Sequence, residues 1–203
     1  MIKNIIFDFG GVLIEWEPDN LYLSYFKSKK ATETFYQETG IKILNREMDR
    51  GLSFDIAIKT LVDRFPHYQE PIMFWKTHWH KMLGNIITDN VELLQILERK
   101  GYNLYGLTNW SGETFPYVYY KHEFFRIFKD IVVSGREGLI KPEPDIYHLC
   151  LKRNNLQASE TVFIDDNFEN CLASRDLGIN AIQFTDTESL KAALKELGVK
   201  LVN

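Results

Sequence analysis

Asp8 directly follows a short apolar run, Ile5-Ile6-Phe7, and is itself followed by two glycines, Gly10 and Gly11. Other apolar runs also end on residues able to do chemistry. Asn103-Leu104-Tyr105-Gly106-Leu107 leads into Thr108 and Asn109, and Thr161-Val162-Phe163-Ile164 leads into Asp165 and Asp166. Lys141 lies a few residues beyond Ile131-Val132-Val133. In an open parallel sheet, ligands bind outside the carboxyl ends of the strands, so these groups would meet at one edge. Together they suit phosphoryl chemistry. Asp8 would attack phosphorus, and Mg²⁺ between it and the anionic phosphate would remove most of their repulsion. Asp165 and Asp166 would add hard oxygen ligands. Lys141 would bind a phosphoryl oxygen and orient Asp8, while the Thr108 hydroxyl and nearby backbone N–H groups hold another oxygen. Attack gives an aspartyl-phosphate, which water hydrolyses. Gly10 and Gly11 would let the chain bend sharply and, with Asn109, bring it close to the bound substrate.

Positioning these residues requires strands that alternate with helices. The apolar runs are of the kind buried on both faces of a parallel sheet, and Ala181-Ile182-Gln183-Phe184 is a further one. Between them the spacing predicts helices over Glu143 to Arg153, Phe168 to Leu177, and Thr187 to Leu197, the last closed by Gly198. The pattern predicts an α/β fold with a Rossmann-like parallel sheet core flanked by helices. About a hundred residues separate the first two strand ends, several times the roughly 30 that one crossover unit needs. A small helical unit is therefore expected over 17–88, inserted into a core made of 1–16 and 89–203. Within it Phe54, Ala57, Ile58, Leu61, Val62 and Phe65 repeat at helical spacing after Ser53, an N-cap candidate.

The chain has 203 residues, 45% of them hydrophobic and 26% charged, with a net charge of −4. Such a balance gives no electrostatic reason to expect nucleic acid or an anionic membrane as partner. The apolar stretch before Asp8 is too short for a secretory segment, and no 18-residue apolar span occurs, so a cytoplasmic location is expected. Cys150 and Cys171 each fall among apolar neighbours in a helical pattern and are expected to be buried free thiols. The histidines show no zinc-ligand spacing. The expected partner is a small-molecule phosphate ester, and the expected state is a monomer or weak homodimer.

Asp8-Phe9-Gly10-Gly11-Val12, Leu107-Thr108-Asn109, Lys141-Pro142 and Ile164-Asp165-Asp166-Asn167 resemble, in order, the four motifs of the haloacid dehalogenase-like superfamily. The resemblance spans nearly all of the core, and the insert is similar to the helical cap of many such enzymes. It is similar in pattern to the branch containing bacterial sugar-phosphate phosphatases that act on substrates such as glucose-1-phosphate. Those carry Asp-x-Gly in the first motif and Phe-x-Asp-Asp-Asn in the fourth. The resemblance implies a hydrolase with Asp8 as nucleophile and Mg²⁺ held by Asp8, the Gly10 carbonyl, Asp166 and Asp165.

Most superfamily phosphatases have a second Asp where this chain has Gly10, serving as general acid and base. Its loss implies a rate lower by about 10²–10⁴ unless another group replaces it. Trp16, Asn45, Arg46, Arg50, Trp75, His78, Trp79 and His80 of the insert, and Trp110, are candidate substrate contacts, with His78 and His80 also candidate proton donors. Two other functions compete with a phosphatase. One is a metal-free 2-haloacid dehalogenase using Asp8; the other is a non-catalytic binding protein. A dehalogenase resembles Ser-Ser-Asn in the fourth motif, whereas Asp165 and Asp166 here would face an anionic haloacid with no cation between them, which favours the phosphatase.

Overall fold

Strand β1, Asn4–Phe7, is buried along its whole length and forms the middle of the molecule. Its apolar side chains alternate between two faces, so each face must be covered. Ile5 and Phe7 join one apolar cluster and Ile6 the other. Burial of each is worth about 1.5–3 kcal/mol before chain entropy is counted. The computed structural model describes residues 1–201.

After β1 the chain forms β2 (Ile14–Trp16), then helices α1 (Pro18–Phe26), α2 (Lys29–Thr39), α3 (Ile41–Arg50), α4 (Phe54–Arg64) and α5 (Gln69–Thr77). It returns through β3 (Leu83–Ile86), which pairs antiparallel with β2. Then follow α6 (Thr88–Arg99), β4 (Asn103–Thr108), α7 (Phe115–Lys121), β5 (Asp130–Val133), α8 (Ser134–Glu137), α9 (Pro144–Arg153), β6 (Thr161–Asp165), α10 (Phe168–Asp176), β7 (Asn180–Gln183) and α11 (Thr187–Glu196). The five long-range strands form one parallel sheet in the order β5-β4-β1-β6-β7. This is the α/β class expected from the alternating runs.

β1 lies between β4 and β6, so chain direction around the sheet reverses at its carboxyl end. The crevice of such a sheet opens there. Leu93, Leu94, Leu97, Leu190 and Leu194 of α6 and α11 cover one face, and Ile146, Tyr147 and Cys150 of α9 cover the other. The first cluster runs on without a break into the helical unit through Tyr22, Phe35, Ile41 and Trp75. Both cysteines are buried and free. Among the described residues, no helix is long and apolar enough to cross a membrane.

Local signals behave as their chemistry requires. Ser53 caps α4 by accepting from Asp55 N, and Gly40, at φ 64°, ends α2 where the chain turns into α3. The short β2–β3 pair was not foreseen. Its strands are three and four residues long and far apart in sequence, so neither periodicity nor a turn signal marks them.

Candidate active site

Asp8 leaves the end of β1 only 7% exposed. Its Oδ1 accepts the N–H of Phe9 at 2.7 Å, and its Oδ2 lies 2.9 Å from Lys141 Nζ. Lys141 is buried and satisfied: besides Asp8, Nζ reaches Asp165 Oδ2 at 2.5 Å and the Leu107 carbonyl at 3.0 Å. Burial works against the ammonium charge, but Asp165 and Asp8 outweigh it and raise the Lys141 pKa. Burial raises Asp8 to about 7; Lys141 opposes the rise, and Asp165 and Asp166 add to it.

The loop bearing Lys141 is locked by Asn109. The Asn109 amide accepts Lys141 N at 2.9 Å and donates to the Lys141 carbonyl at 3.0 Å, beside the cis Lys141–Pro142 bond. Expected as a substrate contact, Asn109 does line the cavity, but its side chain is committed to this clamp. Asp165 is likewise occupied. It takes Lys141 on one oxygen, the N–H of Asn167 on the other at 2.8 Å, and the Asn170 amide on both at 3.0 and 3.1 Å. Asn170 was missed in the sequence because it lies inside α10, beyond the acid pair. The cap of α10 is Asn167, whose side chain accepts from Glu169 N and Asn170 N.

Asp8, Asp165 and Asp166 bring carboxylate oxygens within 4.8 Å of one another. Asp166 is exposed, and its pKa is raised by burial of its carboxylate and by Asp165. Three carboxylates against one lysine leave a negative excess of hard oxygen donors, the set a small divalent cation takes. The cluster could therefore hold a metal.

The two glycines differ. Gly11 has φ +72°, and a Cβ there would collide with the Asp166 carboxylate, so both conformation and close approach require glycine. Gly10 is not among the positive-φ glycines, and a Cβ on it would meet nothing within 4 Å. The bend expected of both thus depends on Gly11. Thr108 is buried, and its Oγ1 is the buried side-chain oxygen without a hydrogen-bond partner among the described residues.

Above the sheet edge lies a cavity of about 450 Å³. Asp8, Gly10, Gly11, Asn109 and Asp166 border it, while Thr108, Lys141 and Asp165 lie beneath. Trp16, Trp79 and Trp110 form an aromatic wall, with ring centroids 5.6 Å apart for Trp16 and Trp79 and 5.8 Å for Trp79 and Trp110. Asn45, Glu15, Glu17 and Asp49 add polar atoms. The other candidates lie elsewhere. Arg50 grips Glu143 through two hydrogen bonds of 2.7 and 2.5 Å, and Trp75 is buried with Nε1 donating to Asn45 Oδ1 at 2.9 Å. Arg46 is exposed away from the cavity. His78 shares a hydrogen bond with Thr77, and His80 packs near the Tyr117 ring, so neither histidine borders the cavity.

Asp49 was not singled out from the sequence. The available signal was its i+4 spacing from Asn45, which places both on one side of α3. Asn45 Nδ2 donates to Asp49 Oδ2 at 2.8 Å. Burial pushes the Asp49 pKa well above the ordinary carboxylate range, and the Asp8 charge adds to the rise.

A parallel sheet with an aspartate at the switch-point strand, paired to a buried lysine and flanked by an acid pair, defines a class of hydrolase. The chain belongs to the haloacid dehalogenase-like hydrolase family, whose model matches residues 5–184. It is similar to the D-ribitol-5-phosphate phosphatase of Bacteroides thetaiotaomicron, 31% identical over 201 residues, covering 90% of this chain and 92% of that protein. It is also similar to the sesquiterpene phosphatase astK of Aspergillus oryzae, 28% identical over 200 residues and 96% of each chain. Among solved structures it resembles a mutant haloacid dehalogenase family enzyme from Bacteroides thetaiotaomicron in complex with magnesium and inorganic phosphate. That likeness has a TM-score of 0.71 at 22% identity and covers 94% of this chain and 99% of the other.

Proposed function

We infer that this hydrolase is a Mg²⁺-dependent phosphatase acting on a small phosphomonoester through an aspartyl-phosphate on Asp8. The observation that carries the reading is the buried Asp8–Lys141 pair set against two further carboxylates, Asp165 and Asp166. A metal-free dehalogenase would leave that excess of negative charge facing an anionic substrate. Asp8, Asp166 and the Gly10 carbonyl would hold Mg²⁺, which would offset the repulsion between the nucleophile and the phosphate. Asp165, with its oxygens filled, keeps Lys141 charged and aimed at Asp8. The unpaired Thr108 hydroxyl is suited to donate to a phosphoryl oxygen, which would satisfy it.

Residues 17–88 are assigned as a cap that shapes the ester's alcohol portion. A cavity of about 450 Å³ suits a small metabolite. Indole faces beside carboxylates and an amide match the C–H surfaces and hydroxyls of a sugar or polyol phosphate. The similarity to a D-ribitol-5-phosphate phosphatase supports the same class.

The test is phosphate release from a panel of sugar and polyol phosphates, with Mg²⁺ and after chelation, alongside halide release from 2-chloropropionate. Mg²⁺-dependent phosphate release without halide release is expected. Turnover undiminished by complete chelation, or halide release without metal, would overturn the reading.

A further inference from the structure

Gly10 leaves the strand end beside Asp8 without a side-chain acid, yet an alkoxide cannot depart readily without a proton. The other carboxylates bordering the cavity are Asp166, Glu15, Glu17 and Asp49. Asp166 belongs to the cation cluster, and Glu17 is exposed. Glu15 turns onto the β2–β3 pair, where it accepts Asn85 N at 2.8 Å. Asp49 is different, because its carboxylate is fixed by the Asn45 amide, which donates to it at 2.8 Å. The Asn45 amide is itself oriented by Trp75, so it presents nitrogen to Asp49. The Asp49 main chain is anchored too, its carbonyl accepting the Ser134 hydroxyl from the start of α8. An acid from the helical unit is thus held over the cavity that Asp8 borders.

We propose that Asp49 is the general acid and base of the reaction, supplied by α3 in place of the acid missing at position 10. The proposal rests on the phosphatase reading above. In the first step an Asp8 oxygen bonds to phosphorus, the ester P–O bond breaks, and the departing oxygen takes the Asp49 proton to leave as alcohol. In the second, the Asp49 carboxylate removes a proton from water while the water oxygen bonds to phosphorus. The Asp8–phosphorus bond breaks, and inorganic phosphate, the Asp8 carboxylate and protonated Asp49 are restored. Burial shifts Asp49 toward its protonated form, the direction a proton donor needs.

The test compares wild type and Asp49→Asn on a sugar phosphate and on p-nitrophenyl phosphate, both with Mg²⁺, in the first turnover and at steady state. Nitrophenolate leaves without a proton. Asp49→Asn should therefore keep a fast first turnover of the aryl ester, seen as a burst, and then stall as the aspartyl-phosphate accumulates. On the sugar phosphate even the first turnover should fall, by about 10²–10⁴-fold. Adding Gly10→Asp to Asp49→Asn should restore part of that loss, since the backbone at position 10 has room for a side chain. First turnovers slowed equally on both esters with no rescue, or unchanged kinetics, would overturn the role of Asp49 alone. A wild-type protein that releases phosphate from neither ester would overturn the phosphatase reading and this proposal together.

Discussion

Thr108 shows how a single side chain can be out of balance in the resting protein. A buried hydroxyl without a partner costs about 1–3 kcal/mol, and nothing within the described residues repays it at Thr108 Oγ1. Thr108→Val keeps the shape and removes the orphan, so it should raise stability by about 1 kcal/mol in urea unfolding. The same change should weaken inhibition by inorganic phosphate. Gain of stability without any change in phosphate affinity would separate Thr108 from the ligand. The residues that meet beneath the cavity were legible because each follows an apolar run at a strand end, where geometry leaves little choice of direction. Roles that depend on side-chain pairing were not. Asn109 reads as a polar group after a strand, yet its amide grips a loop 32 positions away. Asp49 reads as one more charge on a polar helix.

At the scale of elements, α3 is tied to the sheet edge at its carboxyl end. Arg50 binds Glu143 just before α9, Ser134 binds the Asp49 carbonyl, and Glu113 accepts Phe54 N at 3.0 Å. Arg50 was one of the candidate substrate contacts, but its ion pair with Glu143 ties the end of α3 to the segment before α9 instead. The pair is 31% and 41% exposed, so screening limits it to about 0.2–1 kcal/mol. Arg50→Met should therefore cost less than about 1 kcal/mol in stability and lower kcat/KM for different sugar phosphates in the same proportion. A changed preference among those substrates would put Arg50 in the cavity. The core strands were readable because both faces bury apolar residues. The insert was less so, since stacked aromatics such as Tyr22, Phe35 and Trp75 give the same pattern whether they pack a core or line a site.

For the whole molecule, the balance of charge at the sheet edge matters more than any one contact. Asp8, Asp165 and Asp166 are held together by β1 and β6, and the single Lys141 ammonium offsets only part of their mutual repulsion. Mg²⁺ at a hundred times its dissociation constant should stabilise the protein by about 2.7 kcal/mol, read as a rise in melting temperature without substrate. Asp166→Asn should remove most of that rise. An equal rise in the variant would place the ion elsewhere. A single transition is expected in these melts, because one apolar cluster joins the sheet face to the helical unit.

The register of β1 also dictates an order of events in the cell. Asn4 lies opposite Asn103 and Thr161, partners 99 and 157 positions downstream. Helices α1 to α5 meet mainly through nearby contacts and are complete far earlier in synthesis. At about 5–20 residues per second, β6 emerges roughly 8–30 s after β1, which until then has no partner on one of its edges. Lys141 and Asp165 arrive in that same last stretch. The nascent chain therefore carries Asp8 from the start but gains the Lys141 ammonium that pairs with it only as the sheet closes, so no partly made molecule holds the whole cluster.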